Sequence, residues 1–298
     1  MGKAKIITEE MVRGSYKKLK TYYFYNKNMN FVKRKIANFE ANGKIESIFK
    51  EIADSFNGNT FKDYFKEKIS LIKFRALPKK VKEKNINKDS VIITNKPQEF
   101  CVDKVNLFID LPIELMIVDV MWSLEYSNLL QKSNRIIANS YGNKIDIEKV
   151  ILGKNVNYAN NKFFVNYKYS YSEWNKKCFE TVSNIYLDKT KRDSFLIRLD
   201  IKSFFYKVAF SFTDLREYIP SELTKKYDDL KHLEEIIKQI FEQFKLVVEE
   251  VYKTDLEDEK YFLPIGLFSS NIIANQIMYT IDNQIINGIN PKTGIKTN

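Results

Sequence analysis

Along residues 9–65 the apolar and aromatic side chains recur every three or four positions, as in MVRGSYKKLKTYYFYNKNMNFVKRKIANFE and IESIFKEIADSF. That spacing predicts two or three helices with strongly basic outer faces, broken at Gly43 and at the Asn-Gly-Asn of 57–59. LIKFRALPKKVKEKN then predicts a strand that runs into a basic turn at Pro78, with SVIITN (90–95) as its hairpin partner. After Pro112, IELMIVDVMWSLEYSNLLQKS carries apolar residues at steps of three and four and predicts a buried helix. Loop-rich sequence follows to about residue 160, and FFVNYKYSYSEWNKKCFETVSNIYLD ends in another helix. The clearest strand is SFLIRLDIKSFFYKV, residues 194–208. Residues 230–252 form a long amphipathic pattern, YFLPIGLFSS (261–270) reads as a loop, and SNIIANQIMYTIDNQIING predicts a helix capped by Ser269 or Ser270. Helices come first and a mixture of strands and helices follows, which predicts an α+β fold.

Charge sharpens this layout. The 298 residues carry a net +11, and residues 1–110, with 24 Lys/Arg against 13 Asp/Glu, hold all of it. A basic segment rich in Tyr and Phe suits a polyanion, because cations neutralise phosphates and aromatic faces stack on bases. Ordinary solvated faces in a lysine-rich chain give the same charge, so charge alone does not choose between them. The single histidine, His232, excludes Ser-His-Asp and Cys-His nucleophiles and a His-rich zinc site. Cys101 and Cys178 are too far apart for a metal knuckle and read as reduced core thiols. No segment reaches the ~18 uninterrupted apolar residues of a membrane span, and the N-terminus has no apolar leader. A cytoplasmic protein with no membrane partner is the expectation.

Two stretches carry candidate chemistry. In FLIRLDIKSFF the apolar run 195–199 predicts a central strand with Asp200 at its carboxyl end, where an α/β sheet presents ligands to its working groups. A carboxylate there can hold Mg2+, with the Ile201 carbonyl as a second oxygen ligand. Phe205 would stand as an apolar plate against a bound nucleotide and collide with a ribose 2′-hydroxyl. The same residues also fit a turn-capping aspartate followed by two core phenylalanines. In FLPIGLFSSNIIANQIMYTID (262–282), Pro264 and Gly266 permit a tight turn, and Ser270 opens a helix whose free N–H groups attract phosphate or a base-paired template. A plain loop before a packed helix fits equally well.

Together the two stretches carry a resemblance. RLDIKSFFYKV resembles motif A of reverse transcriptases, and LPIGLFSSNIIAN resembles their motif B, in the family's order and at about its spacing. FRALPKKV (74–81) is similar to the fingers strand whose Pro-Lys-Lys turn lies near template and triphosphate, and NKFFVNYKYSYSEWNKKCF is faintly similar to the block upstream of motif A in retron and intron enzymes. The resemblance spans roughly residues 70–285 and is nearest in flavour to bacterial abortive-infection and antiphage-defence enzymes. It implies a right-hand polymerase: a helical N-terminal extension (1–66), a fingers-like region (67–190) and an incomplete palm with an antiparallel sheet (191–298). It further implies an RNA-directed DNA polymerase using Mg2+, dNTP and an RNA or DNA template and primer. Asp200 is then the catalytic metal ligand with Ile201, Phe205 the sugar gate, Gly266 and Ser270 the shapers of the nucleotide pocket, and Lys79 and Lys80 the charge near the triphosphate.

The match has departures. Ile265 stands where most of the family carries Gln, and Asn271 where retrons and introns carry Pro, which puts ordinary templated accuracy in doubt. No Tyr-x-Asp-Asp run of motif C occurs in the 298 residues, and no thumb is recognisable. Two-metal phosphoryl transfer needs a second carboxylate. The expectation is therefore a chain inactive by itself, a fragment of a longer polypeptide or the product of a gene split before motif C, with motif C and thumb on a second polypeptide, in preference to a naturally short chain retained for binding. A large exposed apolar patch is expected on the palm side, where the motif B helix lacks its hairpin. The competing expectation is a noncatalytic nucleic-acid-binding protein that uses the basic first third. A related RNA polymerase is disfavoured by Phe205.

Overall fold

The computed structural model describes residues 6–25, 29–82, 101–134, 142–187 and 204–286. Within them the fold is mixed α+β, mostly helical, with two small antiparallel sheets. The N-terminal region holds four helices rather than two or three: α1 (Glu9–Tyr25), α2 (Asn30–Ala41), α3 (Ile45–Asn57) and α4 (Phe61–Ser70). Neither Gly nor Pro separates α1 from α2, so the apolar spacing hides that break. Gly43 does mark the next one, with φ at +67°, where a Cβ would be strained. Met11, Val12, Tyr16, Leu19 and Tyr23 form the buried stripe of α1. At Gly14 of α1 the chain lies so close to Tyr158 that a Cβ would meet the Tyr158 carbonyl oxygen at 2.4 Å. Nearby, the fully buried Lys18 ammonium donates to the carbonyls of Asn160 (2.5 Å) and Lys162 (2.9 Å), and burial pushes its pKa down to about 8.

β1 (Lys73–Lys82) pairs antiparallel with β2 (Cys101–Asp110), in register from Lys73 against Asp110 to Lys82 against Cys101. The sequence expectation fails here in two ways. The strand runs through Pro78 instead of turning, because a two-stranded ribbon has free edges where a missing N–H costs little, and the register slips beside the proline. Its partner is 101–110, while SVIITN lies outside the described residues.

α5 (Ile113–Lys132) is the spine of the molecule. Ile113 and every residue from Leu115 to Leu130 are buried, as expected for that apolar run. Next come α6 (Ile147–Val150), the short hairpin β3 (Ile151–Leu152) and β4 (Asn155–Val156), and α7 (Tyr167–Leu187). α7 exposes Tyr169, Tyr171, Phe179, Val182, Tyr186 and Leu187, and its Cys178 is a free, half-buried thiol rather than a core one. α8 (Phe204–Lys207), α9 (Phe212–Glu217) and α10 (Thr224–Asp228) are short; Ser211 and Asp214 close a reciprocal capping box on α9. α11 (Lys231–Tyr252) buries Leu233, Ile236, Ile237, Ile240, Phe241, Phe244 and Val248 at helical spacing, and α12 (Phe268–Ile286) completes the packing.

α1, α2, α4, α10, α11 and α12 all pack on α5, and one hydrophobic cluster runs from Ile7 to Ile273. Thr280 is the only exposed side chain among those described on α12, so the large exposed apolar patch expected there is not found through Ile281. Among the described residues no helix is long and apolar enough to cross a membrane.

Candidate functional site

The described part of the 194–208 stretch is not a strand. Phe204–Lys207 is one helical turn, α8, in which Phe205 is half-buried and its ring meets Phe204 edge-on at 5.6 Å. Asp200 and Ile201 lie outside the described residues. Lys79 and Lys80 fall within β1, and their side chains lie outside the description as well.

The segments flanking α9–α11 meet in space. The Leu263 amide donates to the Phe205 carbonyl at 3.3 Å, and Phe210 and Tyr261 exchange both backbone bonds, at 3.2 and 2.9 Å. Residues 205–210 thus run antiparallel beside 261–263, although fifty residues of chain lie between. β2 joins them from the other side: the Ile109 amide donates to the Ile265 carbonyl at 3.4 Å, and the Leu107 amide to the Tyr206 hydroxyl at 2.7 Å. Gly266 sits at the bend with φ at +109°, and its carbonyl accepts from the Tyr23 hydroxyl at 3.2 Å. Here the backbone demands glycine, whereas space does not: a Cβ would find no atom nearer than the Ile109 oxygen at 4.0 Å. A small pocket beside the bend is lined by Tyr23, Met29, Phe31, Phe108, Met116 and Gly266, among others.

The start of α12 departs from the expectation. Its cap is neither Ser269 nor Ser270 but Asp119, from the middle of α5. That carboxylate accepts from the Phe268 amide at 2.7 Å and the Ser269 amide at 3.1 Å. Only 2% of Asp119 is exposed, and burial pushes its carboxyl up to about 6 despite these two amide bonds. Two amides expected to be free for phosphate are therefore engaged, and a carboxylate occupies the position an anion would take. Ser270 is 1% exposed, and its hydroxyl is enclosed without a partner among the described residues. Its contribution to any pocket is shape rather than contact. Farther along α12, Asn271 accepts from the Asn143 side chain at 2.8 Å, and Asn275 donates to the carbonyls of Gly142 and Asn143.

A second buried carboxylate closes β2. Asp110 accepts from Arg75 Nε (2.9 Å) and Nη2 (2.7 Å) and from Lys35, whose ammonium also donates to the Leu111 carbonyl at 2.8 Å. Burial alone would raise this carboxyl, but the bonds and charges of Lys35 and Arg75 outweigh it and hold it below its ordinary value. The Arg75 guanidinium lies 4.8 Å over the Phe31 ring. Lys35 and Arg75, two cations of the basic third, are thereby committed to holding α2, β1 and β2 together.

The structure thus brings the Phe205 backbone against Leu263, three residues before Gly266 and seven before Ser270, and Asp200 precedes α8 by four positions in the sequence. The oxygens expected to hold Mg2+, on Asp200 and Ile201, are outside the description. Among the described residues no three Asp, Glu, His or Cys side chains group to hold a metal ion. Compared with models of protein families, with curated proteins and with solved structures, the chain matches none. Asp119 and Asp110 were not foreseen. The signal for Asp119 was a lone carboxylate inside an otherwise apolar helical run, which a folded chain must provide with donors.

Proposed function

We propose that this chain forms the nucleotide-binding part of an RNA-directed DNA polymerase related to the bacterial phage-defence enzymes. The observation that carries this reading is the backbone pairing of 205–210 with 261–263, which joins the motif A-like and motif B-like stretches at one bend beside β2. Asp200 is the catalytic carboxylate and metal ligand, with the Ile201 carbonyl. Phe205 gates the sugar, Gly266 and Ser270 shape the pocket, and Lys79 and Lys80 lie toward the triphosphate. Mg2+, when bound, would neutralise phosphate charge.

The test is binding rather than incorporation, because the 298 residues contain no Tyr-x-Asp-Asp carboxylates and the second metal needs them. The purified chain is expected to bind dCTP in a Mg2+-dependent manner and more tightly than CTP. Asp200→Ala should abolish the Mg2+ dependence, and Phe205→Ala should reduce the preference for dCTP by about tenfold. Wild-type protein that binds neither nucleotide with Mg2+ would refute the proposal.

The exposed Arg34, Lys44, Lys50 and Lys66 on α2–α4 favour a second reading, a noncatalytic nucleic-acid-binding protein. Salt-sensitive binding of a primed RNA template without Mg2+-dependent dCTP binding selects it.

A further inference from the structure

Between Ile265 and Ser270 the chain bends, passes Gly266 and enters α12, and three elements grip it there. Two of the grips are single neutral bonds at the long end of their range, from the Ile109 amide (3.4 Å) and the Tyr23 hydroxyl (3.2 Å). The third is the Asp119 carboxylate, which holds two successive amides at 2.7 and 3.1 Å in a buried setting. Charge-assisted bonds are about twice as strong as neutral ones, so the third grip dominates. It also reaches across the fold, since Asp119 belongs to the best-buried helix, α5, and cannot move with the bend. Rotation of α12 is fixed separately by the Phe268 ring, packed on Tyr22, Phe163 and Phe164 at 4.8 to 5.4 Å. What Asp119 holds is therefore the start of α12, and with it the bend that follows Leu263, whose amide reaches the Phe205 carbonyl.

We propose that Asp119 is a positioning residue of the nucleotide site, holding the Gly266 bend next to the Leu263–Phe205 backbone bond. The proposal rests on the nucleotide reading given above. It assigns Asp119 no contact with the ligand: the carboxylate acts through the amides of Phe268 and Ser269.

The experiment compares wild type, Asp119→Asn and Asp119→Ala as full 298-residue chains. Its readouts are Mg2+-dependent affinity for dCTP and CTP, amide hydrogen exchange over 265–270, binding of a primed RNA template and thermal melting. Asp119→Asn keeps one acceptor oxygen. It is expected to bind the primed template like wild type, to exchange faster over 265–270, and to lose roughly three- to tenfold in dCTP affinity with a smaller dCTP-to-CTP ratio. Asp119→Ala should lose more than tenfold and show the same fall in the ratio. A purely structural role would lower melting without moving the ratio. Unchanged dCTP affinity and ratio in Asp119→Asn, with faster exchange at 265–270, would overturn the positioning role while leaving the nucleotide reading intact. If Asp119→Ala does not fold, Asp119→Asn decides alone. Wild type that binds no dCTP overturns both, and that outcome is told apart by the wild-type measurement itself.

Discussion

α5 and α7 are almost equally long, at 20 and 21 residues, and they live in opposite solvents. Every residue of α5 from Leu115 to Leu130 is buried, whereas Phe179 and Tyr186 of α7 are 74% and 85% exposed. The difference governs what a polar side chain must do. On α7, Lys176 and Glu180 face each other at 3.8 Å in water, a pairing worth a few tenths of a kcal/mol. On α5 a carboxylate has no water to fall back on, so Asp119 takes two amides of α12 and Glu125 accepts from the Tyr158 hydroxyl at 2.6 Å. The buried helix thereby acquires long-range, directional partners, and through them positions other elements.

Four measurements break or sharpen this contrast. The largest effect belongs to Trp122, fully buried on α5, stacked on Tyr126 at 4.9 Å and edge-on to Phe212 at 6.1 Å. Trp122→Ala should cost about 3–5 kcal/mol in urea unfolding, and a loss under about 1 kcal/mol would show that α5 is not the core.

Next comes pH. The Asp119 carboxyl is held at about 6, above its ordinary 3.8, so the folded state binds that proton more tightly than the unfolded chain. Its contribution is fully present below about 3.8 and is lost as pH rises through about 6, a change of about 3 kcal/mol. The difference in unfolding free energy between wild type and Asp119→Asn should therefore drift across pH 4–7. A constant difference would mean that Asp119 is not buried as described.

Smaller again is Asp110→Ala. It leaves Lys35 and Arg75 without their carboxylate, but both are partly solvated, so about 1–3 kcal/mol is expected rather than the full cost of a buried charge. Wild-type stability should also fall in acid as Asp110 takes up its proton, below the ordinary carboxylate range, since its folded value is depressed. Smallest is Phe179→Ala on α7, within about 0.5 kcal/mol in the same urea assay. A loss as large as that of Trp122→Ala would mean that α7 is covered in solution.

Much of the helical frame was legible because its information is local. The 3.6-residue pattern of 230–252 became α11, and the unbroken apolar run after Pro112 became the buried α5. What was illegible depends on partners far away in the chain. SVIITN looked the better strand by composition, but pairing with β1 belongs to 101–110, where register is decided across the ribbon. Ser269 and Ser270 were the natural caps for α12 by local rule, yet a carboxylate 149 residues earlier displaced them. Phe205, Gly266 and Ser270 could be picked out individually. That 205–210 and 261–263 lie side by side was visible only through backbone bonds that leave no trace in either stretch.

The bond between Asp119 and α12 also has a meaning in time. Its partners are separated by 149 residues, among the most distant contacts in the chain, and closing so long a loop is entropically costly and slow. If α5 packs before α12 docks, Asp119 is buried without its amides, and a protonated carboxyl tolerates that better than an ionised one. Refolding of this chain should accordingly run faster in mild acid than at neutral pH, with the advantage gone in Asp119→Asn. A side chain that fixes a bend in the finished molecule thus also sets a toll on the route to it.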